Sequence, residues 1–279
     1  PIVQVPLEMV QSGQQGVRPF FRNPVMWVGF ALPAIVSSLN GLHAYYNFVP
    51  AVQQLTTIPL FRHAVNLIIR LSFPMVGFSF LINLDIAFSL WFFNLVAAVI
   101  RGVMGVLGIV SAQKLGIYGA ASKPILAHQG QGALFVLVLL GLWLARGHLR
   151  DVWRKAVHDD PSVDDSGEIM SYRAAVLCLV GGYLTLVGWL TVSGLDLWAA
   201  LLTVTMALLI FVGLTRVVAE SGVAAVVSPL IAASTLVSGS GSVVLGSSGL
   251  VGLAYTHVWA ADIRTFVMAS CAHSLKLSE

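Results

Sequence analysis

Asp85 is the side chain best placed to do chemistry, because it lies in the middle of a long apolar stretch. Residues 71–100 contain no Lys or Arg, so no basic neighbour in the sequence pairs with it. A carboxylate at membrane depth is costly and usually faces a cavity, a partner or a proton path. This predicts a proton-linked site at Asp85. The alternative, equally favoured and compatible with the first, makes Asp85 the N-cap of a helix that begins at Ile86.

A second polar tract, residues 238–252, is rich in Gly and Ser. Ser234, Ser238, Ser242 and Gly246 recur every four residues, and on one helix they would form a small-residue stripe for close packing. The other interpretation is an unwound segment whose free backbone groups contact a polar solute. The stripe is favoured for Ser234 to Ser242, and the unwound form for Gly239, Gly241, Gly246 and Gly249. The predicted substrate- or ion-binding residues are Asn83, Asp85, Ser238, Gly239, Gly241, Gly246 and Gly249.

Other patterns of reactive side chains are weak. Arg216 and Glu220 have the spacing of a helix-surface ion pair, which indicates a structural salt bridge first and a gate second. Gly246-Ser247-Ser248-Gly249 matches the form around the nucleophile of rhomboid-type proteases, a match expected by chance in this tract. The seven His lack helical zinc-site spacing, and the two Cys lie in apolar stretches. The sequence therefore predicts no enzyme activity, no metal site and no cofactor.

The composition defines the class of protein. Of the 279 residues, 57% are hydrophobic and 10% are charged, and the mean hydropathy is +0.88. A soluble domain carries about 25% charged residues, so a soluble enzyme and a disordered chain are excluded. The formal charge of +3 is scattered between apolar runs without a basic stripe, which excludes nucleic acid as a partner. The chain is expected to be an integral membrane protein.

Apolar runs of about 20 residues predict the spans. The predicted fold class is all-α, a polytopic transmembrane helical bundle with broken or re-entrant helices. Residues 71–100 are too long for one span and predict a break near 83–85, with a second helix from Ile86. Residues 223–261 predict two passes or a re-entrant hairpin. The other predicted spans are 24–42, 125–145, 174–194 and 197–215.

Charged residues divide the chain into three regions. Residues 1–145 form an N-terminal membrane region with broken helices, 146–173 a loop, and 174–279 a C-terminal membrane region. The loop has the highest density of Lys and Arg, so the positive-inside rule makes it cytoplasmic. Asp262 and Arg264 mark the end of a span. The chain begins at Pro1 and stops at Glu279 directly after an apolar segment, so we expect it to be part of a longer polypeptide.

Four stretches taken in order carry a family resemblance. They are Phe30-Ala31-Leu32-Pro33 with residues 38–43, Asp85 to Phe93, Asp164 to Arg173, and Arg216 to Gly222. Over residues 20–277 the chain resembles uncharacterised bacterial multi-pass proteins related to the oligopeptide transporter (OPT) family. The substrate-site motifs of the peptide transporters are not evident in this sequence.

The resemblance implies transport of a small polar solute or peptide, coupled to protons. It also implies a multi-pass protein of the bacterial inner membrane. The expected partners are the lipid bilayer, the solute and either further copies of the chain or other membrane subunits. The alternative function is a non-catalytic structural subunit of a larger membrane complex, which the scarcity of polar residues also fits.

Overall fold

The computed structural model describes residues 23–109, 111–116, 118, 123–221, 226–261 and 267–278. Within these ranges the chain forms eleven helices and one two-stranded antiparallel sheet. Asp262, Arg264, Gly222 and the two chain ends, on which sequence predictions were made, lie outside the described residues. Contacts divide the chain into two units, residues 1–110 with 220–224 and residues 111–219 with 225–279.

The first unit contains three helices and the sheet. Its elements are α1 (Pro24–Tyr45), β1 (Leu55–Leu60), β2 (Val65–Arg70), α2 (Phe73–Leu81) and α3 (Leu84–Val106). Asn23 caps α1, because its side-chain oxygen accepts a hydrogen bond from the amide of Val25. Near the end of α1, Asn40 exchanges two hydrogen bonds with the backbone of Val52, of 2.8 and 3.1 Å, and so fixes the loop that follows the helix.

The predicted break between α2 and α3 is present, two residues earlier than expected. Ile82 and Asn83 are non-helical, and α3 begins at Leu84 rather than Ile86. The cap is Asn83, whose side-chain oxygen accepts a hydrogen bond of 3.2 Å from the amide of Asp85. The N-cap interpretation of Asp85 is therefore wrong, because Asn83 already occupies that position. Asp85 lies in the first turn of the helix.

The β-hairpin of β1 and β2 was not predicted. Its turn uses Phe61, Arg62 and His63, all with positive φ of 53°, 55° and 66°. The hairpin packs on α3 where that helix carries small residues. The phenyl ring of Phe61 lies against Gly102, and a side chain at Gly105 would come within 2.9 Å of Ala64. The glycines of α3 therefore provide the surface on which the hairpin tip rests.

The second unit contains the remaining helices. They are α4 (Pro124–Leu144), α5 (Arg146–His158), α6 (Tyr172–Val192), α7 (Leu197–Ser221, whose last two residues belong to the first unit), α8 (Ala232–Ser240), α9 (Ser242–Tyr255), α10 (His257–Ala260) and α11 (Val267–Ser278). Helix α7 contributes residues to two separate buried clusters, one at Ala199, Ala200 and Val204 and one from Ala207 to Val218. It is the helix around which the core of this unit is built.

Five of the helices in the described ranges are long and apolar enough to span a membrane: α1, α3, α4, α6 and α7. Large apolar side chains on their outer faces are exposed, for example Leu177 at 66% and Val192 at 89%. Such surfaces are stable in hydrocarbon and not in water. The predicted fold class, a polytopic transmembrane bundle of helices with breaks, is confirmed.

Two full passes were one of the two structures predicted for residues 223–261. The described residues 226–261 do not form them. Helices α8 and α9 have 9 and 14 residues, fewer than the roughly 20 needed to cross a bilayer. Gly241 separates them, with φ 81° and ψ 152°, and Gly246 kinks α9, with φ 64° and ψ 178°. Glycine adopts these angles at no steric cost. The region therefore consists of short helices with glycine breaks.

The loop between α5 and α6 contains two ordered acidic turns. One carboxylate oxygen of Asp160 accepts hydrogen bonds from the amide and the hydroxyl of Ser162, at 3.0 and 2.7 Å. Asp164 accepts one from the amide of Ser166 at 2.9 Å. The Ser162 hydrogen bonds, with Arg154 and Lys155 nearby, hold the pKa of Asp160 below its usual value. The pKa of Asp164 is lowered by its hydrogen bonds from Ser166.

We expect these turns to open in acid. A lowered pKa means that the ionised carboxylate favours the folded turn, so this contribution is present above about pH 4 and is lost as the pH falls through the lowered values. Hydrogen exchange of residues 159–171, corrected for the intrinsic chemical rate, should accelerate below that pH. In Asp160→Asn the Ser162 amide should exchange faster already at pH 7. Protection that is unchanged down to pH 2 would contradict this.

Candidate functional site

A half-open cavity of about 350 Å³ lies in the second unit, and its polar lining makes it a candidate site. It is bounded by the non-helical segment 113–116, by α8, by the C-terminal half of α9 and by the start of α10. Its polar lining comes from Gln113, Lys114, Ser234, Ser238 and His257. Its volume is at the lower end of the range for small-molecule sites.

Two serines on α8 hold segment 113–116 in place. Ser234 donates a hydrogen bond of 3.0 Å to the carbonyl oxygen of Leu115. Ser238, one turn later, accepts one of 2.7 Å from the side-chain amide of Gln113. The carbonyl oxygen of that amide lies 3.1 Å from Nε2 of His128 on α4. A continuous hydrogen-bonded chain therefore links α4, the segment and α8 beside the cavity.

Gln131 fixes the approach to α8. Its side-chain oxygen accepts hydrogen bonds of 3.3 Å from the amide of Leu230 and from the hydroxyl of Ser228. The side chain is 2% exposed, so these bonds are made in a dry environment where they are strong. Pro229, which precedes α8, packs against Gly130 of α4. This junction sets where α8 begins, and hence the position of its serines.

The lining favours solutes that accept hydrogen bonds or carry negative charge. Lys114 brings a positive charge, while Gln113, the serine hydroxyls and His257 supply further polar groups. Among the described lining residues there is no Asp or Glu. The remaining walls are apolar, from Val237, Leu250 and Leu253. An apolar pocket with a few convergent polar groups is the usual form of a small-molecule site.

The structure brings one of the predicted site residues, Ser238, to the cavity. Gly241 and Gly246 are at the helix breaks, as the unwound interpretation expected. Gly239 lies within α8 and Gly249 within α9, so the unwound interpretation is wrong for these two. Gly249 is buried, and a side-chain carbon added at this position would lie 3.6 Å from Cδ1 of Leu195. Gly249 therefore serves close packing.

The predicted small-residue stripe is also wrong as a single helix face. Its four-residue spacing requires one continuous helix, and the chain changes direction at Gly241 before Ser242 and Gly246 are reached. Ser234 and Ser238 do share a face of α8, but they make hydrogen bonds to segment 113–116. They act as polar anchors rather than as a contact surface for a neighbouring helix.

Asn83 and Asp85 lie in the first unit and are not among the residues that line the cavity. Asp85 is exposed in the first turn of α3, where a negative charge complements the helix dipole. The hydroxyl of Ser89 donates a 2.7 Å hydrogen bond to the carbonyl oxygen of Asp85. The carboxylate is therefore at the start of a span rather than halfway along it.

The predicted gate pair, Arg216 and Glu220, lies one turn apart on α7. Arg216 reaches across to α4, where its Nη1 donates a 3.4 Å hydrogen bond to the carbonyl oxygen of Leu137. The guanidinium also lies against Gly141. Arg216 thus fastens α7 to α4, which is a structural role.

Sequence reasoning missed Gln113, Lys114 and His257 as parts of a polar site. The available signal was a short polar run, Gln113-Lys114, between two apolar stretches. Gln113 is hydrogen-bonded to Ser238, which is 125 positions away in the sequence. No local pattern reveals such a contact. Among the described residues no group of three or more His, Cys, Asp or Glu is arranged to hold a metal ion.

Comparison with known proteins gives one match. A family model described as "Family of unknown function (DUF6785)" matches residues 1–279. The chain belongs to this family. No curated protein and no solved structure matches the chain. The description of DUF6785 assigns no activity, so the function is argued from the cavity and the helices of this chain.

Proposed function

We propose that the chain is a secondary transporter, or the membrane part of one, and that the cavity binds its solute. The observation that carries this proposal is a polar-lined cavity whose walls include α8 and α9, two short helices interrupted at Gly241 and Gly246, in a chain with span-length helices. Discontinuous helices expose backbone groups that can contact a solute, and transporters use them for this purpose. The resemblance to OPT-related proteins supports the same conclusion, as does the expected place in a bacterial inner membrane.

The proposed solute is small and bears a carboxylate or a similar acceptor group. About 350 Å³ accommodates an amino acid or a dipeptide. Lys114 would bind the negative charge, and Ser238 with Gln113 would bind a neighbouring polar atom. The absence of Asp and Glu among the described lining residues disfavours a cationic solute, because its charge would find no partner there.

The test is uptake into liposomes with a cavity-blocking variant. Purified protein is reconstituted, an inward proton gradient is imposed, and alanyl-alanine, glutamate, lactate and glycerol are offered as probes. We expect an acid-bearing probe to accumulate. Ser238→Phe should lower that uptake at least tenfold, because the ring would fill the cavity. Gly239→Phe is the matched control, since Gly239 is exposed, has open space around it and does not line the cavity.

Two results would contradict the proposal. Uptake by Ser238→Phe equal to that of the wild type would show that the cavity is not on the solute path. Failure of every probe to accumulate, with a protein that is correctly folded by circular dichroism, would oppose transport itself. Equal loss in both phenylalanine variants would indicate a general effect of bulk on α8.

The structural-subunit alternative is supported by α1. Within the described part of the chain none of its residues is fully buried, so most of its apolar surface is available to lipid or to another membrane subunit. Intact mass in mild detergent separates the two functions. A single species, alone or as a homo-oligomer, supports the transporter. A stable assembly with other subunits supports the structural role.

A further inference from the structure

Helix α5 has features that neither the cavity nor the spans explain. It begins at Arg146, and a single residue, Ala145, separates it from the end of α4 at Leu144. Because α4 is long and apolar enough to cross the bilayer, we expect the start of α5 at the level of the lipid headgroups. The connection is reinforced by Arg146, which donates a 3.0 Å hydrogen bond to the carbonyl oxygen of Trp143 and stacks over its ring at 5.2 Å.

One face of α5 packs against α6. The imidazole of His148 meets the ring of Tyr172 edge-on, with centroids 5.9 Å apart. Val152 and Ala156, one and two turns further along this face, are partly buried, and the Lys155 side chain is 19% exposed. This contact fixes the rotation of the helix, and therefore determines which side chains point away from the protein.

The outward face carries two stripes that run side by side. The apolar stripe consists of Leu149, Trp153 and Val157, which are 44%, 58% and 55% exposed. The basic stripe consists of Arg146, Arg150 and Arg154, each one turn after the last. Residues four apart lie above one another on a helix. An exposed apolar stripe beside a basic stripe suits a surface that offers hydrocarbon and negative charge side by side.

We propose that α5 lies in the membrane interface and that its basic stripe binds the phosphates of anionic phospholipids. The apolar stripe inserts between acyl chains, as in interfacial amphipathic helices. Arg150 is the principal contact: it is exposed and makes no ion pair or hydrogen bond within the described part of the chain. Arg154 keeps its 3.2 Å pair with Asp160 and contributes less.

An acidic protein partner fits the face less well than a bilayer. Such a partner would match the arginines but not the continuous apolar stripe beside them. A bilayer offers both chemistries at the depth where α5 begins, and the tryptophans at 143 and 153 are of the type enriched at membrane interfaces. The site is independent of the proposed transport activity and is tested without any solute.

The test uses the full chain in phosphatidylcholine nanodiscs. Cys178 and Cys271 are replaced by serine, and a nitrobenzoxadiazole fluorophore is attached at Val157→Cys. Quenching is measured with doxyl-labelled phosphatidylcholine and with doxyl-labelled phosphatidylglycerol at equal fractions. We expect quenching by both, and stronger quenching by phosphatidylglycerol. Removing one basic residue should lower this preference up to about fivefold, the effect of one charge at an anionic surface.

Paired variants separate charge on the outward face from charge in general. Arg150→Gln should reduce the phosphatidylglycerol preference, whereas Arg150→Lys should keep most of it. Lys155→Gln also removes one positive charge, but from the face toward α6, and should change the preference little. Quenching by neither lipid would overturn the interfacial position. Equal quenching by both lipids, or equal loss in Arg150→Gln and Lys155→Gln, would overturn the headgroup site.

Discussion

Gly213→Ala is expected to destabilise the protein although alanine is the better helix former. Gly213 is buried on α7, and a side-chain carbon there would lie 2.7 Å from Cδ1 of Leu134 and 2.9 Å from Cγ2 of Val138. Both contacts are well inside normal van der Waals distance, and both partners on α4 are themselves buried. Overpacking of this kind costs about 1–3 kcal/mol, which exceeds the roughly 1 kcal/mol gained in helix propensity.

The control is the same change where space is open. Gly182→Ala on α6 has nothing within 4 Å of the new carbon and should be neutral or raise stability by up to about 1 kcal/mol. Thermal unfolding in mild detergent measures both variants beside the wild type. A Tm for Gly213→Ala equal to or above that of Gly182→Ala would show that α4 and α7 are not packed as closely as described.

Each of the two helices, α4 and α7, contributes a glycine to this close approach. Gly213 of α7 accepts the side chains of Leu134 and Val138, while Gly141 of α4 accepts the guanidinium of Arg216. Small residues let helices approach closely where lipid gives no hydrophobic driving force between them. The contact therefore depends on two glycines in different helices. Larger residues at either position would separate the central helix of the second unit from α4.

The sequence predicts the long helices well because their signal is local. Residues 174–194 and 197–215 are free of charge, and both became span-length helices, with α7 extended to Ser221. The break before α3 was predicted from polar residues in an apolar run and was found within two residues of its position. Length and polarity are sufficient for such elements, because the bilayer imposes both.

The hairpin and the cavity could not be predicted, for two different reasons. Two-residue hairpin turns are recognised by Asn-Gly or similar pairs, whereas this turn is built from Phe61, Arg62 and His63. The cavity depends on hydrogen bonds between segment 113–116 and α8, far apart in the chain. Ser238 was singled out from its Gly/Ser context. Lys114 was not singled out, because no local sequence pattern indicates that a basic residue in an apolar chain lines a pocket.

Asp85→Asn is expected to lower proton-driven uptake at least tenfold while preserving solute exchange, if Asp85 is the proton-linked carboxylate that the sequence predicts. The carboxylate is exposed at the first turn of α3, directly after the two-residue break at Ile82 and Asn83. Asparagine has nearly the same shape, so the helix start should survive, but it can neither carry a charge nor release a proton. If Asp85 couples solute movement to protons, accumulation driven by a proton gradient should fall at least tenfold. Counterflow, which needs no net proton movement, should continue.

Two comparisons make this result specific to the carboxylate. Asn83→Ser changes the neighbouring cap to a residue that caps equally well and should leave both assays unchanged. Ser238→Phe should lower uptake and counterflow together, because it obstructs the solute rather than the proton. Proton-driven uptake by Asp85→Asn equal to that of the wild type would assign Asp85 to the helix start alone. A coupling group would then have to be sought among the ionisable side chains near the cavity, which include His128 and His257.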